Sequence, residues 1–155
     1  MDRVPITAEG LAALKAELSR LKTVERPANI LAIETARAHG DLSENAEYAA
    51  AKEKQSFIGG RIQELEHKIA HAEVIDPAKT SKDKALFGNI VVLENVDSGE
   101  EVRYQLVGPD ESDVNKGRIS VTSPLGRGLL GKKVDDEVSV QAPGGTRRYL
   151  LVEIA

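Results

Sequence analysis

Near the start of the chain, leucine recurs at Leu11, Leu14, Leu18 and Leu21, in steps of three, four and three. That is the narrow seam of a coiled coil rather than the broad apolar stripe of a helix on a sheet. Pro5-Ile6-Thr7 reads as an extended lead into this helix. Thr7 suits the N-cap, and Ile6 and Leu11 are placed for a hydrophobic staple. Pro27 is expected to kink or divide the helix. Helical character resumes through Ile30, Leu31, Ile33 and Ala36 and stops at Gly40. A second seam follows at Ile58, Ile62, Leu65, Ile69 and Ala72. Leu21 and Gln63 are equidistant from Leu42, so the two seams can face each other in an antiparallel pair. Each arm of roughly 30 residues would be about 45 Å long. Gly59-Gly60 weakens the second arm locally.

Val74-Ile75-Asp76-Pro77 ends this pattern, because a residue before proline leaves the helical region. Beyond it the period changes. Residues 90–93, 102–107, 119–121, 138–140 and 149–152 read as strands. Asp97-Ser98-Gly99 and Pro143-Gly144-Gly145 look like hairpin turns. The stretch from Ser123 to Lys132 reads as one short helix, capped by Ser123 with Pro124 at its first position. The chain is therefore expected to be α+β. A helical coiled-coil hairpin spans 1–76, with its tip at 39–48. A polar linker covers 77–84, and a small antiparallel-sheet domain covers 85–155.

The candidate chemistry sits at the tip, His39-Gly40-Asp41-Leu42-Ser43-Glu44-Asn45-Ala46-Glu47-Tyr48. Asp41, Glu44 and Glu47 crowd three carboxylates onto one turn. Asp41-Leu42-Ser43-Glu44 also has the spacing of a capping box, and Ser43 is an alternative cap. Acidic groups in a first helical turn suit the helix dipole as well. Capping and metal binding are compatible roles. Two or three hard oxygens suit Mg²⁺, which keeps waters and takes few carboxylates from one protein. Such a site needs further ligands from elsewhere.

Composition narrows the rest. Charged residues make up 30% and apolar ones 41%, which allows a globular chain. The absence of cysteine removes disulfides, thiolate nucleophiles and zinc-thiolate sites together. Aromatics at 3% leave no base-stacking platform. His39, His67 and His71 are too scattered for a zinc site. No signal peptide or long apolar run is visible, so a cytoplasmic location with no membrane association is expected. Net charge is −4, spread evenly. Residues 1–75 hold 10 Lys/Arg and 12 Asp/Glu, and residues 76–155 hold 11 and 13. Any nucleic-acid contact must come from a local patch.

Four stretches carry a resemblance. They are Pro5-Ile6-Thr7 with Gly10-Leu11, the tip from Gly40 to Tyr48, Ser123-Pro124-Leu125-Gly126-Arg127-Gly128-Leu129-Leu130-Gly131-Lys132, and Pro143-Gly144-Gly145. Together, over essentially the whole chain, they resemble the Gre transcription elongation and transcript-cleavage factors of bacterial RNA polymerase. Gly126 and Gly128 stand where alanine is common in that family, and Asp135 stands where glycine usually precedes an aspartate.

The resemblance implies an FKBP-like C-terminal domain docked at the mouth of the polymerase secondary channel. Ser123, Pro124, Leu125, Leu129 and Leu130 would carry that contact. It implies a coiled coil threaded down the channel to the 3′ end of backtracked RNA. There Asp41 and Glu44 would hold a Mg²⁺ shared with the polymerase, which cuts its own transcript. Arg37 and Lys52, and more weakly Arg61, would contact the RNA. Tyr48 would pack at the base of the tip. The factor would be a monomeric catalytic accessory and not an enzyme by itself. The alternative is a non-cleaving channel regulator of the same fold. A prolyl isomerase is a distant third reading, since only Phe87, Tyr104 and Tyr149 could line its pocket.

Overall fold

A computed structural model describes residues 3–41 and 45–155. They form two compact units, each taken by itself below. One is Leu11–His71; the other is Ala72–Ala155 together with the segment before Leu11.

The first unit is the helical hairpin. Helix α1 (Ala8–Arg20) runs through a π-helical turn (Leu21–Glu25) into α2 (Arg26–Arg37), and α3 (Ala46–Ala70) returns. The division expected at Pro27 takes the form of this π-helical turn, not of a break in the helical chain. The Arg26 amide reaches back five residues to the Leu21 carbonyl, and Pro27, with no N–H to place, occupies the first turn of α2. A π turn holds one extra residue, so the seam slips by one. Steps of three and four from Leu21 would bury positions 28, 32 and 35; the buried residues are Asn29, Ile33 and Ala36. Ile30 and Leu31 face solvent. On α3 the seam is Ala51, Ile58, Ile62 and Leu65. Ala72, expected at its end, instead begins a strand. Gly59 and Gly60 have nothing close to a would-be Cβ, and no contact explains them.

The second unit holds a short parallel pair, β1 (Val4–Ile6) with β2 (Ala72–Val74), in register Val4 to Ala72. Thr7 caps α1 as expected, accepting from the Gly10 amide at 3.0 Å. The pair draws the segments before Leu11 and after His71 into this unit.

The main sheet comprises β3 (Ile90–Asn95), β4 (Glu101–Val107), β5 (Arg118–Ser120), β6 (Glu137–Ala142) and β7 (Gly145–Ile154), in the order β5-β4-β3-β7-β6. It is antiparallel except at one edge, where β5 runs parallel to β4. Both expected turns are present. Gly99, at φ +77, closes the first, and Ala142 pairs with Gly145 across the second. Helix α4 (Pro124–Leu129) is capped by the Ser123 hydroxyl, which accepts from the Gly126 amide at 3.1 Å. Asp135, at φ +79, occupies a left-handed position, which is the physical reason glycine suits it. No helix of the described residues is long and apolar enough to cross a membrane.

Candidate functional site

The tip begins where α2 runs out. The His39 amide donates to Ala36 O and the Gly40 amide to Arg37 O, each at 3.2 Å, and Gly40 then turns the chain at φ +103. Glycine is required there because other L-residues are strained at that angle. Asp41 follows, exposed. Leu42, Ser43 and Glu44 lie outside the described residues, so the expectations placed on Ser43 and Glu44 fall there too.

The cap of α3 is Asn45, not Asp41. Its Oδ1 accepts from the Tyr48 amide at 3.0 Å, while its Nδ2 donates to Ala36 O at 2.7 Å. The Asp41-to-Glu44 spacing imitates a capping box, but the helix starts later, at Ala46. Tyr48 is half-buried. Glu47 lies in the first turn of α3 with its carboxylate 3.4 Å from His39 Nε2.

The basic candidates divide. Arg37 is exposed, and Lys52 is exposed with its ammonium 2.9 Å from Gln55 Oε1. Arg61 is committed elsewhere, against the weaker expectation for it. Its guanidinium grips Glu17 in a fork at 2.7 and 2.8 Å and also reaches Glu64 at 3.2 Å. The Arg61 hydrogen bonds hold the Glu17 carboxyl below its ordinary range, outweighing the opposing effect of burial. Lys68 and then Arg61 do the same for Glu64. This is a clamp between the arms, and its strong, bidentate geometry leaves Arg61 little to offer RNA.

On the second unit the five expected docking residues also separate. Ser123, Pro124 and Leu125 line an open, mostly apolar groove of about 350 Å³ with Tyr104, Val140 and Tyr149. Phe87 is not among its lining residues. Leu130 is 40% exposed. Leu129 is 0% exposed and belongs to the core with Leu93, Leu106 and Leu151, so it offers no surface to a partner. Leu129 is the last residue of α4, and at Leu130, its C-cap, the backbone has left the helix.

Two residues were missed from sequence. Asn45 was one. Glu111 was the other: its buried carboxylate accepts from the Thr7 amide at 2.9 Å and from the Thr7 hydroxyl, and lies 3.4 Å from Arg118 Nη2. The signal for Asn45 was its position directly before the helix-favouring run from Ala46. Glu111 lies 104 residues from Thr7, and no local pattern could have linked them.

Comparison with known proteins covers nearly the whole chain. Residues 4–74 match the N-terminal family of GreA/GreB transcription elongation factors, and residues 80–155 match the C-terminal GreA/GreB family. A protein of Hyphomonas neptunium named transcription elongation factor GreA is 57% identical over 154 residues, 99% of this chain and 98% of its own. One of the same name from Thermodesulfovibrio yellowstonii is 56% identical over the same shares. The solved structure of GreA factor homolog 1 from Thermus thermophilus is 29% identical, with 99% of each chain covered and a TM-score of 0.45.

Proposed function

The chain belongs to the GreA/GreB family of transcription elongation factors, and on that premise we propose that it stimulates RNA polymerase to cleave backtracked RNA through the carboxylates of its hairpin tip. The observation that carries this reading is Asp41. It stands exposed between two helices, after the Gly40 turn, with the capping duty taken by Asn45. Its exposed side chain lies at the end of the hairpin, outside the buried seam.

Among the described residues, no group of three or more His, Cys, Asp or Glu could hold a metal ion. Asp41 is nevertheless a hard oxygen donor of the kind Mg²⁺ takes singly or in pairs. The tip thus fits a shared ion, with Asp41 and Glu44 as this chain's ligands and the polymerase supplying the others. Mg²⁺ bound there supplies charge stabilisation and a more acidic water. Arg37 on α2 and Lys52 on α3, both exposed, offer positive charge to the RNA. The chain acts as an accessory: the bond is cut in the polymerase, at the 3′ end of extruded RNA.

Docking falls to the other unit. Pro124 and Leu125 on the groove, with Ser123 and the exposed Leu130, form the contact at the polymerase secondary channel. The protein works there as a monomer, in the cytoplasm where the polymerase is. A stalled, backtracked elongation complex tests the proposal. Adding the protein with Mg²⁺ releases short 3′ fragments of labelled RNA and restores elongation, whereas free RNA stays intact. Slowed elongation without fragments would favour the non-cleaving regulator instead, and metal-dependent cutting of free RNA would make the chain a nuclease in its own right.

A further inference from the structure

One side chain closes the tip turn. The amide oxygen of Asn45 accepts the Tyr48 N–H and its nitrogen donates to the Ala36 carbonyl. The first bond caps α3. The second reaches back nine residues to the last turn of α2, where Ala36 is 1% exposed. A planar amide engaged through both of its polar atoms cannot rotate without losing one bond. The end of α2 and the start of α3 are therefore held at a set distance and orientation. A second link among the described residues, His39 to Glu47, joins two exposed side chains and contributes little. Asp41 stands inside the span that Asn45 closes.

We propose that Asn45 is a positioning residue for the tip: by tying α2 to α3 it holds Asp41 where it acts on the transcript in the polymerase. This rests on the cleavage-stimulating reading given above. Asparagine is needed for a chemical reason. Aspartate caps a helix as well as asparagine does. It lacks the N–H for Ala36 O, however, and it sets a negative charge against the carbonyl end of α2. Serine also caps, but its shorter side chain cannot span to Ala36 while doing so.

The test compares the full-length parent with Asn45→Asp, Asn45→Ser and Asn45→Ala. Both Asn45→Asp and Asn45→Ser keep parental helix content, and they compete for polymerase within about twofold of the parent. At saturating factor their stimulated cleavage falls about tenfold or more. Amide exchange at residues 38–40 accelerates about tenfold, while the Tyr48 amide stays protected. Parental cleavage in Asn45→Asp or Asn45→Ser overturns the proposal, as does unchanged exchange at residues 38–40. It is also overturned if activity follows helix content alone, with only Asn45→Ala impaired. A parent protein that stimulates no cleavage defeats the functional reading and with it any role in cleavage. The exchange pattern then still shows whether Asn45 ties the two helices, because that readout needs no polymerase.

Discussion

In the second unit, nine buried apolar side chains close on one another from Ala85 to Ile154, and Ala85, Val91, Leu93, Leu106, Leu129 and Leu151 are each 0% exposed. In the hairpin, among the described residues, only Leu65 reaches that figure. The hairpin's seam is one row deep, includes the buried amide of Asn29, and is flanked by the Arg61–Glu17 fork and the Lys22–Glu66 pair at 3.2 Å. A three-dimensional core couples every residue that touches it, so α4 carries packing on one side and a groove on the other. A single seam with polar clamps leaves its end residues free of packing duty. Tip substitutions should therefore change activity and spare stability, whereas substitutions in α4 change stability first.

The sharpest contrast lies between two neighbours, the last residue of α4 and its C-cap. Leu129→Asp puts a charge into the core and costs more than about 4 kcal/mol, enough to unfold the second unit. Leu130→Asp, on the exposed side, leaves circular dichroism and thermal unfolding as in the parent, and polymerase affinity falls. A folded Leu129→Asp protein would break the comparison. Gly126→Ala comes next. A Cβ there runs into the Ser120 carbonyl oxygen of β5, and one at Gly128 would lie 2.8 Å from Val138 Cγ1. Alanine is thus not neutral here, and overpacking of this kind costs about 1–3 kcal/mol in thermal unfolding. The smallest effect has the opposite sign. Asn29 is 4% exposed and its Oδ1 has no hydrogen-bond partner. Asn29→Leu removes that orphan and should stabilise the hairpin by about 1 kcal/mol, read from the helical signal on heating. A lower melting temperature would mean the amide is satisfied or sets the register.

Most of the fold was legible because it is local. The heptad spacing gave both arms, and alternation with turn residues gave all five strands of the main sheet. The failures share a cause, which is that competing local signals looked better or the determinant was distant. The slip of the seam to Asn29, Ile33 and Ala36 was not legible, because nothing in the pattern announces a π turn before Pro27. The β1–β2 pair escaped because each strand is three residues long and the partners lie 68 apart. At the site, the turn at Gly40 was read from turn chemistry, and the role of Asp41 from carboxylate spacing and the resemblance of the tip motif. Asn45 was hidden by the better-formed capping box just before it, and Leu129 by the apparent equivalence of two adjacent leucines.

The central claim, that the tip carboxylate acts in the polymerase rather than in folding or docking, is tested most directly by Asp41→Asn. The change is nearly isosteric and removes only the charge. Cleavage of RNA in a stalled, backtracked complex is measured at saturating factor and Mg²⁺, with polymerase affinity determined in parallel by competition. The account predicts a loss of stimulated cleavage of about a hundredfold or more, with affinity and thermal unfolding unchanged. Stimulated cleavage at the parental rate would contradict it.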